Sequence, residues 1–253
     1  MRLRILAYHA IADLGDDPRL AEYGVPPRLF EEQLDALIGS GWRFVGLDAV
    51  LAALAGEEGL PRRALLLTFD DAYADLLEVA CPIMAERGLP GVVFAVAGQL
   101  GGTNEWDHRI RARPLDLLDA DGLRAVEANG IEVGSHTVSH RPLTEVPETE
   151  LGEEIAGAAT LLEQAGLPRP RTFSYPYGEW SPEIAAVARD AGYAVSFTVE
   201  PGIVRGGANP HTLPRIEVHA GDTPRRLRRK LLSAGWPAPL RRFALRVAGV
   251  GAA

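Results

Sequence analysis

Apolar residues come in short blocks along this chain, and the blocks alternate between two patterns. Residues 3–9 (LRILAYH), 64–69 (ALLLTF), 91–96 (GVVFAV), 131–135, 171–175 and 193–198 are brief apolar or β-branched runs of strand length. Between them lie longer stretches of helical period. Residues 28–39 place Leu29, Phe30, Leu34, Leu37 and Ile38 on one face, and similar patterns predict helices over 75–87, 120–129, 149–165 and 182–191. Four of these end on "ERGLP", "EANGI", "EQAGLP" and "RDAGYA", each with a glycine where a left-handed C-cap is needed. Strand followed by helix, repeated, predicts an α/β fold with a mostly parallel sheet and its helices outside. The sheet is either doubly wound or closed, and the length and unit count favour a barrel of about seven or eight strands. In such folds reactive residues belong at the C-terminal ends of strands and in the loops that follow.

Composition narrows the picture. The chain has 253 residues, 47% of them hydrophobic, enough for a well-filled core. A formal charge of -8 argues against a nucleic-acid partner, because neutralising phosphates needs a basic face. Cys81 is the one cysteine; it excludes an intrachain disulfide and fits an apolar helical pattern, as a core thiol would. The N-terminal "MRLRILAYHAIAD" is interrupted by Tyr8 and His9 and lacks a small-residue cleavage site, so it is expected to be a strand and not a leader. No segment approaches the roughly 20 apolar residues of a membrane span, and a soluble, cytoplasmic protein is expected. The domain boundary expected is a barrel over 1–222 and a basic helix or tail over 223–253. That last segment carries eight arginines and lysines and no acid, which would suit packing on the barrel or peripheral contact with an anionic membrane surface.

Three segments carry candidate chemistry. "LLLTFDDAY" ends a strand on Asp70 and Asp71. Two adjacent carboxylates repel, and burial worsens it, so a positive partner is expected there. Neighbouring side chains on a strand point to opposite faces, so both aspartates address one site only if the chain bends at the pair. An isolated pair of this kind more often caps a helix. "EVGSHTVSH" ends another strand and supplies His136 and His140 four residues apart, a spacing that one helical turn would bring to a common face. Two imidazoles and one carboxylate make a first shell for a catalytic divalent metal, usually zinc, with a position left for water. "RTFSYPYGEWS" follows a third strand, and its Tyr175-Pro176-Tyr177-Gly178 run describes a stiff aromatic turn that can offer backbone donors and ring faces to a sugar. Asp107 and His108, in "NEWDHR", follow a fourth strand and are candidates for the substrate cleft.

In this order the segments resemble the polysaccharide deacetylases of the NodB-homology group, carbohydrate esterase family 4: "TFDD" the first motif, "SHTVSH" the second, "FSYPYG" the third. The resemblance runs from "AYHAI" at residues 7–11 to "LPRIEV" at 213–218. It implies a distorted (β/α)7-type barrel and a hydrolase that removes N-acetyl groups from an amino sugar in a glycan or glycolipid with a divalent metal, zinc being the usual occupant. It further implies Asp71, His136 and His140 as metal ligands, Asp70 as general base, and the Tyr177 backbone N–H as an oxyanion donor. The early Tyr-His in "AYHAI" is similar to the poly-N-acetylglucosamine deacetylase branch, which makes His9 the favoured general acid. His219 in "EVHAG" is the alternative, with Glu217 where other members place leucine. Ser174 stands where many members carry the arginine that orients the base, and Arg215 in "LPRIEV" is the candidate to replace it. Two other readings stay open: a deformylase or other C–N hydrolase on a small or lipid-linked amide, and a glycan-binding barrel with little turnover.

Overall fold

The computed structural model describes residues 1–236. Its strands are β1 (Arg2–Tyr8), β2 (Arg43–Phe44), β3 (Ala64–Phe69), β4 (Gly91–Ala95), β5 (Ile131–Ser135), β6 (Thr172–Ser174), β7 (Val195–Phe197), β8 (Val204–Arg205) and β9 (Ile216–Glu217). The helices are α1 (Pro27–Gly39), α2 (Leu47–Ala55), α3 (Cys81–Ala85), α4 (Ala120–Ala128), α5 (Leu151–Gln164), α6 (Pro182–Asp190) and α7 (Pro224–Ser233).

The sequence-predicted runs are unbroken by polar residues because the sheet is covered on both faces: β3 and β4 are buried throughout, as is β1 beyond Arg2. The twofold alternation of side chains still sorts them. Leu6, Tyr8, Leu65, Leu67, Phe69 and Val93 pack outward with the helices, while Leu3, Ile5, Ala64, Leu66, Val92 and Phe94 pack with Val195, Phe197 and Leu213 on the other face. Gly134 on β5 is required there, since a Cβ would lie 2.7 Å from the Phe94 ring and 2.4 Å from the Thr172 hydroxyl.

Strand order is β7-β6-β5-β4-β3-β1, and these pairs are all parallel. The sheet curls until its ends meet: Phe197 bridges Leu213, and β9 then pairs with β1 through Leu6↔Ile216 and Ala7↔Glu217. β2 shares the β3 edge with β4, and β8 runs antiparallel along the start of β1. The expected barrel is therefore the architecture found, with Asp70, His136 and Tyr175 each just past a strand's C-terminal end.

Four elements differ from the sequence expectation. The helix over 75–87 is split into a π-helical turn, Leu76–Ala80, and α3. Pro82 lacks an N–H and its ring crowds the carbonyl four residues back, and the wider turn before it accommodates this. β2, α2 and β8 were not expected: β2 and β8 have two residues each, and α2 (LDAVLAALA) is apolar almost all round, leaving no stripe to detect. All four glycine-bearing helix ends do take the left-handed form, at Gly88, Gly130, Gly166 and Gly192. Cys81 is buried in the main core, where burial pushes its thiol up to about 11, as expected of a structural cysteine.

Helix α7, the first part of the basic tail, packs on the barrel: Leu227 and Leu231 are buried in the main core, and Lys230 donates to the Glu217 carbonyl. The rest of the tail, 237–253, lies outside the described residues. No helix among the described residues is long and apolar enough to cross a membrane.

Asp75, after β3, ties its loop to the one after β1, accepting the Ile11 N–H at 2.9 Å two residues beyond His9. Burial, with Glu78 adding, raises its carboxyl to about 6, against the pull of that hydrogen bond. A group raised on folding stabilises the fold fully below its ordinary value of 3.8 and loses that contribution as pH climbs through about 6. Asp75→Asn, which keeps the acceptor, is expected to gain up to about 3 kcal/mol of stability above about pH 7, seen as a higher Tm, and to match the parent below about pH 4. Thermal melts across that range check it; a difference independent of pH would show that the carboxyl carries no such burden.

Candidate active site

Asp70 and Asp71 do address one site, and the backbone shows how. Asp71 and Ala72 have φ of 71° and 56°, a left-handed bend directly after β3. Thr137 (70°), His140 (60°) and Tyr177 (58°) share that region, so left-handed non-glycine residues gather in the three loops that carry the motifs. Such conformations cost of order 1–3 kcal/mol each and persist where surrounding contacts overdetermine them.

The positive partner of Asp70 is Arg215. Its Nη1 and Nη2 donate to the two carboxylate oxygens at 2.6 and 2.7 Å, a bidentate pair between fully buried groups. The remaining donors are also used: Nε to the Thr198 carbonyl at 3.0 Å, Nη1 to the Thr68 hydroxyl at 3.1 Å, and Nη2 to the Ser174 hydroxyl at 2.8 Å. The guanidinium lies 5.5 Å from the Phe94 ring centroid. Ser174, where an arginine was expected from the family pattern, thus holds the arginine that reaches in from the last strand.

Asp71 faces the two histidines. Its Oδ1 lies 3.2 Å from His140 Nε2 and 3.6 Å from His136 Nε2, and one ligand atom from each of the three residues falls within 4.8 Å of the others. The pair of histidines does not meet through a helical turn, as the spacing had predicted. The chain leaves β5 in an irregular turn, closed by the His140 N–H donating to the Thr137 hydroxyl at 2.9 Å. Glu154 of α5 braces that turn from behind, accepting the Val138 and Ser139 N–H groups at 3.2 and 3.0 Å and the Ser139 hydroxyl. Sequence reasoning missed Glu154, although it carried a signal: an acid on the apolar stripe Leu151, Ile155, Ala158, Leu162 must be buried, and a buried acid needs donors.

The electrostatics assign the protonation states. Burial by itself would raise both aspartates. At Asp70 it is outweighed by Arg215, then His136 and His9; at Asp71 by His140, His136 and His9; both carboxyls lie below the ordinary range. His136 is pushed down to about 4 chiefly by burial, against the pull of Asp70. Its Nδ1 lies 2.8 Å from the Ser174 carbonyl, which can only accept, so Nδ1 carries the proton and Nε2 presents a lone pair beside Asp71. A backbone carbonyl on the far nitrogen is the usual support of a metal-ligating imidazole. Asp71 Oδ1 is buried with no hydrogen-bond donor of its own. An orphaned carboxylate oxygen between two imidazole nitrogens fits a divalent cation, and this trio is the candidate metal centre.

The other expected residues divide. His9, Asp107 and Tyr177 line a cleft of about 380 Å³ together with Asp70, Asp71, His136 and His140. Asp107 accepts from the Asn104 amide at 2.9 Å; burial first, and then Asp71, raise its carboxyl. Tyr175 and Pro176 do not line the cleft. Tyr175 is turned into the core, its hydroxyl donating to the His211 carbonyl at 2.8 Å, and Pro176 is buried beside it. Alternation explains Tyr175: Ser174 faces Arg215, so its neighbour on extended backbone faces away, and the left-handed turn at Tyr177 then brings that ring back to the cleft. His219 also lies off the cleft, behind the Tyr23 ring at 6.2 Å, whereas His9 contacts the same ring at 5.1 Å from the cleft side. His108 is exposed. Trp106 stacks on His140 with centroids 4.4 Å apart, and the Tyr177 ring meets the same imidazole edge-on at 4.8 Å.

Fold and cleft together define a barrel hydrolase, with its polar constellation at the C-terminal rim. A family model for polysaccharide deacetylase matches residues 57–196, and the chain belongs to that family. Among curated proteins it is 24% identical over 220 residues to the putative polysaccharide deacetylase YxkH of Bacillus subtilis, covering 87% of this chain and 72% of that protein. It is 24% identical over 208 residues to a poly-beta-1,6-N-acetyl-D-glucosamine N-deacetylase of Staphylococcus aureus, covering 78% and 68%. Among solved structures, IcaB from Ammonifex degensii superposes with a TM-score of 0.77 at 27% identity, covering 92% of this chain and 96% of that one.

Proposed function

We propose that the protein is a metal-dependent N-deacetylase, hydrolysing the acetamide of N-acetylglucosamine units in a β-1,6-linked polymer or its precursor. The observation that carries this is the Asp70–Arg215 pair set beside the Asp71, His136 and His140 trio in one cleft. A binding-only barrel was conceivable while the base lacked an orienting arginine; Arg215 supplies it.

Asp71, His136 and His140 would hold the divalent cation, with zinc the best match to two nitrogens and one oxygen. Bound there, it would supply Lewis-acid polarisation of the acetyl carbonyl and acidify a water. Asp70, kept ionised and fixed in orientation by the two Arg215 N–H groups, takes the proton of the attacking water on a carboxylate oxygen. The Tyr177 backbone N–H, at the left-handed turn of the third loop, donates to the carbonyl oxygen as it gains charge. His9, across the cleft, protonates the departing sugar nitrogen, because an amine anion is too basic to leave. Trp106 and Tyr177 flank His140 and offer ring faces to the sugar.

Acetate release from β-1,6-linked N-acetylglucosamine oligomers tests this reading. The parent protein is expected to release acetate, His9→Ala to lose about 10²–10⁴-fold, and His219→Ala to stay close to the parent. No release from these oligomers would exclude the substrate, and equal losses in the two variants would remove His9 as the acid.

A further inference from the structure

A second cavity, of about 520 Å³, opens at the opposite end of the barrel, where the strands begin. The seven residues of β1 separate it from the catalytic cleft by roughly 20 Å. Its wall includes Arg2, Arg4, Arg62 and Arg63, with Trp42 and Leu232.

The arginines of this wall have no carboxylate beside them. Elsewhere arginines such as Arg87, Arg113, Arg141 and Arg171 pair with carboxylates, in a protein of net charge -8. None of the four cavity arginines forms an ion pair among the described residues. Arg63 spends one N–H on the Ser40 carbonyl. Arg4 is 8% exposed; its Nε donates to the Leu231 carbonyl in the last turn of α7 at 2.5 Å, and its guanidinium lies 4.9 Å from the Trp42 ring centroid. That fixes the plane of the fork and leaves Nη1 and Nη2 with no acceptor among the described residues. Burial lowers the Arg4 pKa, and Arg2, Arg205 and Arg63 press in the same direction with no carboxylate opposing them. Like charges held this close are relieved by an anion.

We propose that this cavity binds a phosphate-bearing anion, held by the free Arg4 fork and the Arg2, Arg62 and Arg63 guanidiniums, with Trp42 and Leu232 against the group the phosphate carries. Several guanidiniums converging on one space match a group with about two negative charges and several acceptor oxygens, which a single carboxylate does not offer. The phosphate can belong to a soluble compound or to a lipid headgroup, and both place the same chemistry in the cavity.

Two measurements on the full chain separate these sources: calorimetric titration with pyrophosphate, and flotation with phosphatidylglycerol vesicles against phosphatidylcholine vesicles. Each is repeated with Arg4→Met and with Arg2→Ser/Arg62→Ser, the second pair being exposed and expected to leave the melting temperature unchanged. Saturable pyrophosphate binding, weakened by roughly tenfold for each guanidinium removed, supports the site and assigns a soluble phosphate compound. Flotation on the anionic vesicles alone, lost in the same variants, supports it and assigns the headgroup. No binding in either arm, or binding that persists in Arg2→Ser/Arg62→Ser, overturns the proposal.

Discussion

Asp70→Asn is expected to lower acetate release by about 10²–10⁴-fold, the span of general-base removal, while the chain keeps its metal. The two parts of this expectation come from different contacts. Asp70 spends both oxygens on Arg215 and is not among the three residues whose ligand atoms converge. Its neighbour Asp71 makes the opposite choice, facing His136 and His140 with an oxygen that no donor satisfies. Adjacent carboxylates therefore have different surroundings and different work. Rate measurements and elemental analysis on the same preparation check this division. If Asp70→Asn strips the metal as well, the two aspartates are not divided as described.

The second large effect is on stability. Arg215→Met removes the counter-charge of a buried carboxylate and leaves three further acceptors, at Thr68, Ser174 and Thr198, without their donor. Breaking a buried pair from one side costs about 3–5 kcal/mol, and activity falls with it because burial then drives the Asp70 carboxyl upward. Asp70→Asn leaves the guanidinium unpaired and is destabilising for the same reason, so its turnover must be measured below its own melting transition. The double variant Asp70→Asn/Arg215→Met leaves neither charge alone and is expected to recover much of the stability with none of the activity. Denaturant melts of the four proteins check this. Stability losses that simply add in the double variant would mean that the pair is not coupled.

The residue types of this site were legible in the sequence well before their geometry was. The Asp-Asp pair at a strand end demanded a positive partner and a bend, and the Arg215 guanidinium and the left-handed Asp71 and Ala72 supply them. The four helix ends were legible because a left-handed C-cap leaves a glycine where it occurs. The His136–His140 spacing pointed to a common site but to the wrong local structure: four residues suit a helical turn, and only the left-handed Thr137 and His140 reveal another way to close that distance. Arg215 was a candidate only through the family resemblance, since its contact with Asp70 spans 145 positions and nothing local marks it. Tyr175 looked like a ligand-facing ring because aromatic composition says nothing of orientation, and its place on extended backbone directly after the site-facing Ser174 sends it to the core. β2 and α2 left too little pattern, the first by its length and the second by its uniform apolarity.

The central claim is that this cleft hydrolyses an acetamide with a metal held by Asp71, His136 and His140. It is tested most directly by measuring the metal content of the purified chain alongside acetate release from N-acetylglucosamine oligomers, before chelation, after it, and after zinc is returned. The expected result is near-stoichiometric divalent metal, with release that disappears on chelation and returns with zinc. Release that continues unchanged once the metal has been fully removed would contradict the account.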